Sequence, residues 1–423
     1  MMKKYLLIAS LFCSAGVYSQ NTNSPYSVIG IGDVENNFYN RTAGMANTGY
    51  AYRNDRYMIN NNPASYTALQ RQFFAVELSG RAQFISYTGT PIAVGSSGSK
   101  DFAIKRLAVG TKVNKWWASG LGLAPFSTAN YGFSYTKSIV GSTVGLPATV
   151  DGNGSVNQVY WNNAFDITKH LSVGVQTSYL FGSLNQTENL YTTALQESLT
   201  TTDQNYLRSF YFTYGAQFYH PITKDWDASI GATFSNKTNL ASESTVTVTD
   251  NNGQLLSSTI VKDDYFKLPH TIGGGVSLSH SKKYKALTKK FTWSADYKYQ
   301  DWASTRYSGP GFSLQDAQRA SAGFEVSNNL QAYNNAFLEK SYFQAGLYYG
   351  TSYLSINGHQ LEEMGVTFGY GFITKFSPLA GHVMLEIGQR GTTQNGLIKE
   401  RFVNLGFTVS YRDLWYTKGR KYN

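Results

Sequence analysis

Six histidines, His170, His220, His270, His280, His359 and His382, are the residues of this chain best suited to metal or proton chemistry. No two of them stand at the helical spacing that turns both imidazoles toward one ion. A Ser-His-Asn phospholipase or an Asp-His protease would need side chains converging from distant segments, and no local motif marks such a convergence. Cys13 is the single cysteine and lies in the N-terminal leader, so the mature chain carries no thiolate for catalysis, metal or a disulfide. The expectation is no catalytic residue, no metal and no cofactor, and therefore not an enzyme.

Charge offers a second kind of chemistry. Glu77, Arg81, Asp227, Asp296, Lys298, Glu325 and Glu386 fall on the inward parity of strand-like segments, and Asp33, Glu35, Arg41, Arg53, Asp55 and Arg56 cluster near the start. They could line a path for a polar solute, or pair with each other and hold the early segment in place. Pairing is favoured, because a buried charge without a partner is costly.

The elements that carry these groups are strands. Val403, Leu405, Phe407, Val409 and Tyr411 share one parity, and Asn404, Gly406, Thr408 and Ser410 share the other. Successive strand side chains point to opposite faces, so the segment has an apolar face ending in an aromatic and a face of small polar groups. Similar rows recur, for example Trp226, Ala228, Ile230, Ala232 and Phe234, or Met364, Val366, Phe368, Tyr370 and Phe372. A polar face without lysine and glutamate suits a wet lumen, and aromatic strand ends suit membrane interfaces. About fourteen such segments lie between residues 73 and 411, an even number as a closed bacterial barrel requires. The fold class read from this pattern is all-β, a transmembrane antiparallel β-barrel of about fourteen strands.

Met1-Met2-Lys3-Lys4 and the short apolar run that follows form a secretory signal, with cleavage after Ser19. Leu11 and Phe12 stand where a lipobox wants small residues, which disfavours a lipoprotein anchored at Cys13. The organisation expected is a signal at 1–19, an Asn-, Gly- and Tyr-rich N-terminal segment at 20–71, a barrel at 72–411 and a tail at 412–423. The formal charge of +10 includes no dense basic stripe interleaved with aromatics, so nucleic acid is not a partner. It suits outer-membrane lipid and lipopolysaccharide phosphates. The location expected is the outer membrane of a Gram-negative bacterium, with both termini periplasmic.

Connections alternate in length. Those near 127–154, 185–204, 238–263 and 304–316 read as long outer loops, and those near 114, 169, 223 and 379 as short turns. Two inner connections, 280–289 and 329–340, are long enough for short helices. Within 238–263, Asn252-Gly253 between two β-prone runs predicts a hairpin on a two-residue turn.

The chain resembles the FadL-like outer-membrane transporters of long-chain fatty acids and other hydrophobic compounds. The matching residues are the run from Arg41 to Gly49, Asn60-Asn61-Asn62-Pro63-Ala64-Ser65, the run Gly120-Leu121-Gly122-Leu123-Ala124-Pro125-Phe126-Ser127, and the aromatic-ended last strand. The resemblance implies that residues 20–71 form a hatch plugging the lumen, with Tyr26, Val28, Ile29 and Ile31 meeting a ligand. It implies that Asn62, Pro63 and Ala64 lie near an inward kink of the third strand at Gly120, Gly122, Pro125 and Phe126, opening the wall sideways. It also implies an external groove, to which Leu190, Leu195, Leu199 and Leu240 would contribute. Proline cannot donate to a ladder and glycine weakens one, so a break at this place is physically legible; the alternative is that Pro125 only starts an outer loop. Two functions compete: transport of a hydrophobic small molecule, and a non-transporting barrel that is a subunit or cargo-docking platform with other outer-membrane or periplasmic proteins.

Overall fold

Alternation becomes a wall with two chemistries. The computed structural model describes residues 24–89, 98–138, 145–192, 197–284, 287–309, 311–331, 337–374 and 378–414; the signal and most of the tail lie outside these. Strands β1 (Phe73–Gly89), β2 (Gly98–Lys112), β3 (Trp117–Ser138), β4 (Gly145–Asp166), β5 (Leu171–Thr192), β6 (Glu197–Pro221) and β7 (Trp226–Ser235) form half of a barrel. The other half is β8 (Thr271–Tyr284), β9 (Leu287–Gln300), β10 (Ala317–Gln331), β11 (Phe337–Ile356), β12 (His359–Ile373), β13 (Leu379–Arg390) and β14 (Ile398–Leu414). Each pairs antiparallel with the next, and β14 closes on β1 from Ile398↔Gly89 to Leu414↔Phe73. Closure satisfies the strand edges, the condition a sheet must meet in a bilayer, except where β2 and β3 part beyond Leu107 and Leu123. Outward rows such as Leu121, Leu123, Val403 and Leu405 are exposed, while the opposite parity is buried.

Strands β3, β4 and β5 have 22 residues each and β6 has 25, about twice the 9–11 a tilted strand needs to cross. The excess projects from one end as a twisted ribbon. Most of 127–154 and 185–204 is therefore strand rather than loop. Those stretches hold the Gly, Asn and Thr that mark loops, but cross-strand pairing decides their state more than propensity does. The two connections expected to hold short helices are likewise shortened by strand, since β8 runs to Tyr284 and β10 to Gln331.

The hairpin exists, as Thr238–Thr249 and Leu255–Leu268, and its first strand pairs with the ribbon half of β6 from Thr200↔Thr249 to Arg208↔Ala241. Its turn is wider than two residues. Gly253 has φ +77° whereas Asn252 is not left-handed, and the Asp250 carboxylate accepts the N–H groups of Asn252 and Gln254.

Residues 24–71 run down the barrel interior, from the ribbon half to the end with short turns. They form three short 3₁₀ turns, Pro25–Val28, Arg41–Met45 and Pro63–Ala68, each begun by a side chain (Ser24, Asn40, Asn62) that accepts a backbone N–H two residues on. The segment is thus not confined to the turn half.

Candidate functional site

In the turn half the segment is held by buried charge. Arg41 donates from Nε to Glu325 at 3.0 Å, from Nη1 to Glu339 at 2.7 Å, and from Nη2 to both carboxylates at 2.8 and 2.5 Å. Its guanidinium lies 3.7 Å from the Tyr342 ring centroid, while Gln344 and the Tyr52 hydroxyl donate to Glu325. Burial alone would lower the Arg41 pKa, but the two glutamates hold it well above its ordinary value. Arg106 pairs with Glu77, and that pair also grips the segment's backbone: Met58 N–H donates to Glu77 at 3.1 Å and Arg106 donates to Met58 C=O at 3.2 Å. Asp296 accepts the N–H groups of Gly49 and Tyr50 at 2.6 and 3.0 Å.

Most charges singled out in the sequence are brought together this way. Asp33 pairs with Arg390, Glu35 with Lys105 and Arg81 with Asp101, while Lys298 donates to Asn36. Arg53 instead reaches neutral acceptors on Ser172, Gln217 and Thr67. Sequence reasoning missed Glu339, Arg106, Arg390 and Glu400. Arg106 was hidden by a bulge: Ser79 pairs with Arg106 and Gly80 with Ile104, leaving Lys105 extra. The extra residue lets two adjacent cations both turn inward, which strict alternation forbids. Glu339 was hidden in an expected connection.

In the ribbon half an apolar cluster is joined by a smaller polar set, in which Arg390 donates to Asp33, Glu400 and Ser24, and Ser24 donates to Glu400. Tyr26, Ile29 and Ile31 pack into one cluster with Val156, Leu180, Leu207, Leu240, Phe266 and Trp302, and Val28 lies at its margin. Ile31, Val156, Leu180 and Leu240 are 0% exposed. Leu240 therefore belongs to the interior. Leu190 and Leu199 are cross-strand partners far along the ribbon, and Leu195 lies outside the described residues. Being direct cross-strand partners, Leu190 and Leu199 share one face of the ribbon, apart from the buried Leu240.

The wall is unusual at β3. Its ladder with β2 covers six residue pairs, from Lys112↔Ala118 to Leu107↔Leu123, running through Gly120 and Gly122 and ending two residues before Pro125. Beyond that point the segment itself takes the place of β2: Asp33 and Val34 pair with Thr128 and Ser127, and Glu35 N–H donates to Phe126 C=O at 2.9 Å. A bulge at Phe126 in the β3–β4 ladder turns that ring inward onto Tyr211. Gly120 and Gly122 serve as seats. A Cβ on the first would meet the Tyr66 ring, and a Cβ on the second would meet Tyr160.

The Asn62-Pro63-Ala64 motif is elsewhere, against β5, β6 and β7. The Asn62 amide donates to the carbonyls of Tyr50, Ala216 and Ala232, and Pro63 and Ala64 rest on Gly174 and Gly215. The 3₁₀ turn that Asn62 begins reaches β3 through Tyr66 at Gly120, while Asn62 and Pro63 themselves lie on β5 to β7. Asn62 finds its carbonyls where Gly174 and Gly215 let two backbones approach, and β3 offers that space to Tyr66.

Three cavities border the segment, of about 80, 190 and 560 Å³. Charged and hydroxyl side chains dominate their walls, among them Arg81 and Glu386 in the first, Ser277 and Thr292 in the second, and Arg56 and Lys283 in the third. Among the described residues no three His, Cys, Asp or Glu side chains gather in a way that would hold a metal ion. The His170 and His220 rings lie 5.1 Å apart near the turns, tilted by 60°, and His382 is buried beside Tyr342.

A family profile described as BamG matches residues 1–423. The chain belongs to the BamG family. Among solved structures, this BamG-family barrel is similar to a FadL homologue of Pseudomonas aeruginosa at 12% identity and a TM-score of 0.56, over 90% of this chain and 98% of that one. It is similar to the Pseudomonas putida toluene transporter TodX at 16% identity and a TM-score of 0.54, over 91% and 100% of the two chains. A third, the Ralstonia pickettii toluene transporter TbuX, gives 16% identity and a TM-score of 0.50 over 88% and 97%. No curated protein matches the chain. Identities this low establish a shared fold, so the protein is an outer-membrane β-barrel of FadL-like architecture.

Proposed function

We propose that this barrel is a plugged platform, a subunit or docking base of a larger outer-membrane assembly, with its turns and both termini in the periplasm and its ribbon outside. One observation carries the reading. The place where a hydrophobic ligand would sit in the ribbon half is filled by the chain's own Ile31, Leu180, Leu240 and Phe266, all essentially without exposure. Interiors packed in this way admit a guest only by displacing side chains. The buried ion pairs below add to the cost of moving the segment, since separating such a pair strands a charge. The ribbon and hairpin supply contact area outside the membrane.

Transport of a hydrophobic small molecule is the second reading, and the β2–β3 gap favours it. Withdrawing Asp33 to Glu35 would uncover a break in the wall, and the structural neighbours named above include toluene transporters. One experiment separates the two. Deleting residues 22–35 is expected to leave the protein in a large complex after gentle detergent extraction and to leave uptake of a fluorescent fatty acid unchanged. Trimming residues 241–265 is expected to dissociate the complex. Uptake that depends on residues 22–35, with no complex to lose, would establish transport instead.

A further inference from the structure

The hairpin has a side that nothing in the described chain covers. Strand Leu255–Leu268 pairs with Thr238–Thr249 along one edge, and among the described residues it has no other ladder partner. Between two register shifts its pairing is regular, from Ser257↔Val248 to Asp263↔Ser242. Every residue from Leu255 to Val261 is exposed, including Leu255 at 57%, Leu256 at 55%, Ile260 at 62% and Val261 at 47%. The run Leu255-Leu256-Ser257-Ser258-Thr259-Ile260-Val261 contains no charge and no proline. Natural edge strands are guarded by lysine, proline, bulges or a covering element, because free N–H and C=O groups recruit other chains. From Ser257 to Val261 this edge has none of those guards; a register shift precedes the stretch and Lys262 follows it. Its base is fixed, since Phe266 and Leu268 are buried in the interior cluster.

We propose that the free edge at Ser257 to Val261 receives an added β-strand from a second protein, an extended uncharged segment running antiparallel to it. The inference rests on the platform reading and names the contact that platform makes. The backbone edge dictates the occupant's chemistry: a strand whose N–H and C=O groups complete the ladder, with apolar side chains at alternate positions to cover Leu256 and Ile260. Membrane geometry argues against a second copy of this chain. Two copies in one membrane share an orientation, so a two-fold axis relating them lies along the membrane normal and sets edges that rise along that normal parallel. The more stable antiparallel pairing would need one copy inverted.

The test compares residue-level amide hydrogen exchange in native outer-membrane vesicles with that in the purified, partner-free protein. Every second amide across Ser257 to Val261 is expected to exchange about tenfold or more slowly in vesicles, the signature of new ladder hydrogen bonds. Thr259→Pro and Ile260→Pro remove adjacent N–H groups, one facing into the hairpin and one facing out. The outward one is expected to abolish the added protection while amides of Thr238–Thr249 stay protected. Unchanged exchange in vesicles that still contain the intact complex would overturn the edge assignment and leave the platform standing. Uniform rather than alternating protection, or a Ser258→Cys cross-link between two copies of this chain, would also overturn it. Vesicles that yield no complex at all would overturn the platform reading with it.

Discussion

The lower and upper halves of the same N-terminal segment are held by different balances of charge and apolar packing. Below, Arg41, Met58 and the Gly49–Tyr50 backbone are gripped by Glu325, Glu339, Glu77 and Asp296, all on strands. Above, Tyr26, Ile29 and Ile31 meet a largely aliphatic surface. Directional, charge-assisted contacts permit one placement of the chain, whereas apolar contacts tolerate shifts as long as volume is filled. The polar half sets where the segment sits, and the apolar half determines whether anything else fits beside it.

The largest break in that contrast is Arg41→Met. It leaves Glu325 and Glu339 buried and facing each other, a loss of about 3–5 kcal/mol for removing one partner of a buried pair. The segment is expected to become protease-sensitive around residues 36–56 while the barrel keeps its heat-modifiable migration on gels. A segment as resistant as the native one would mean that the apolar half holds it alone. Next comes Ile31→Ala, at about 2–4 kcal/mol for a fully buried large aliphatic. Here the segment should stay protected, and the new cavity should bind a small apolar probe such as xenon. If the native protein already binds the probe at this place, the interior is less filled than the packing shows.

How much of this was legible beforehand follows the same division. The outward rows announced the barrel because lipid imposes a period of two on every spanning strand, as at Val403 to Tyr411. The apolar residues Tyr26, Ile29 and Ile31 stood out through the family resemblance, and nothing in their spacing showed the cluster that they join. The ribbon was not visible, since Thr, Asn and Gly beyond the membrane carry no lipid-facing row and read as loops. Lys105 and Arg106 defeated parity through a bulge, which leaves no residue signature of its own. Asn62 stood out as part of its motif, but its partners on Ala216 and Ala232 are carbonyls, and a sequence does not show where backbone groups lie unpaired.

Asn62→Ala tests the join between the halves and the wall. It removes an N-cap acceptor for Ala64 and donors to three carbonyls, with an expected loss of about 1–2 kcal/mol. Because the Arg41 cluster lies elsewhere on the wall, the Asn62→Ala and Arg41→Met effects should add, as measured by denaturation midpoints of the segment. Marked non-additivity would show that the polar half moves as a single unit.

The smallest expected effect lies at the top of the segment. The Tyr26 hydroxyl donates to Ile398 C=O at 2.5 Å and accepts Ile398 N–H at 2.9 Å, beside the cluster of Ser24, Glu400 and Arg390. Tyr26→Phe is expected to cost about 1 kcal/mol, the net worth of a typical hydrogen bond. Burial raises the Tyr26 phenol from 10.0 to about 12, with the nearby Glu400 charge adding to the shift and the Ile398 and Arg390 contacts opposing it. A folded pKa above the unfolded one means that the native state holds the proton more tightly. The stabilisation is thus complete below pH 10 and is lost as pH rises from there through about 12. Comparing native and Tyr26→Phe proteins across that window isolates this phenol from the other buried tyrosines, and the gap between the two curves should close toward alkaline pH. A gap that stays constant would mean that the hydroxyl does not hold the segment's upper end to β14, leaving that attachment to apolar packing and to the Ser24 contact with Glu400.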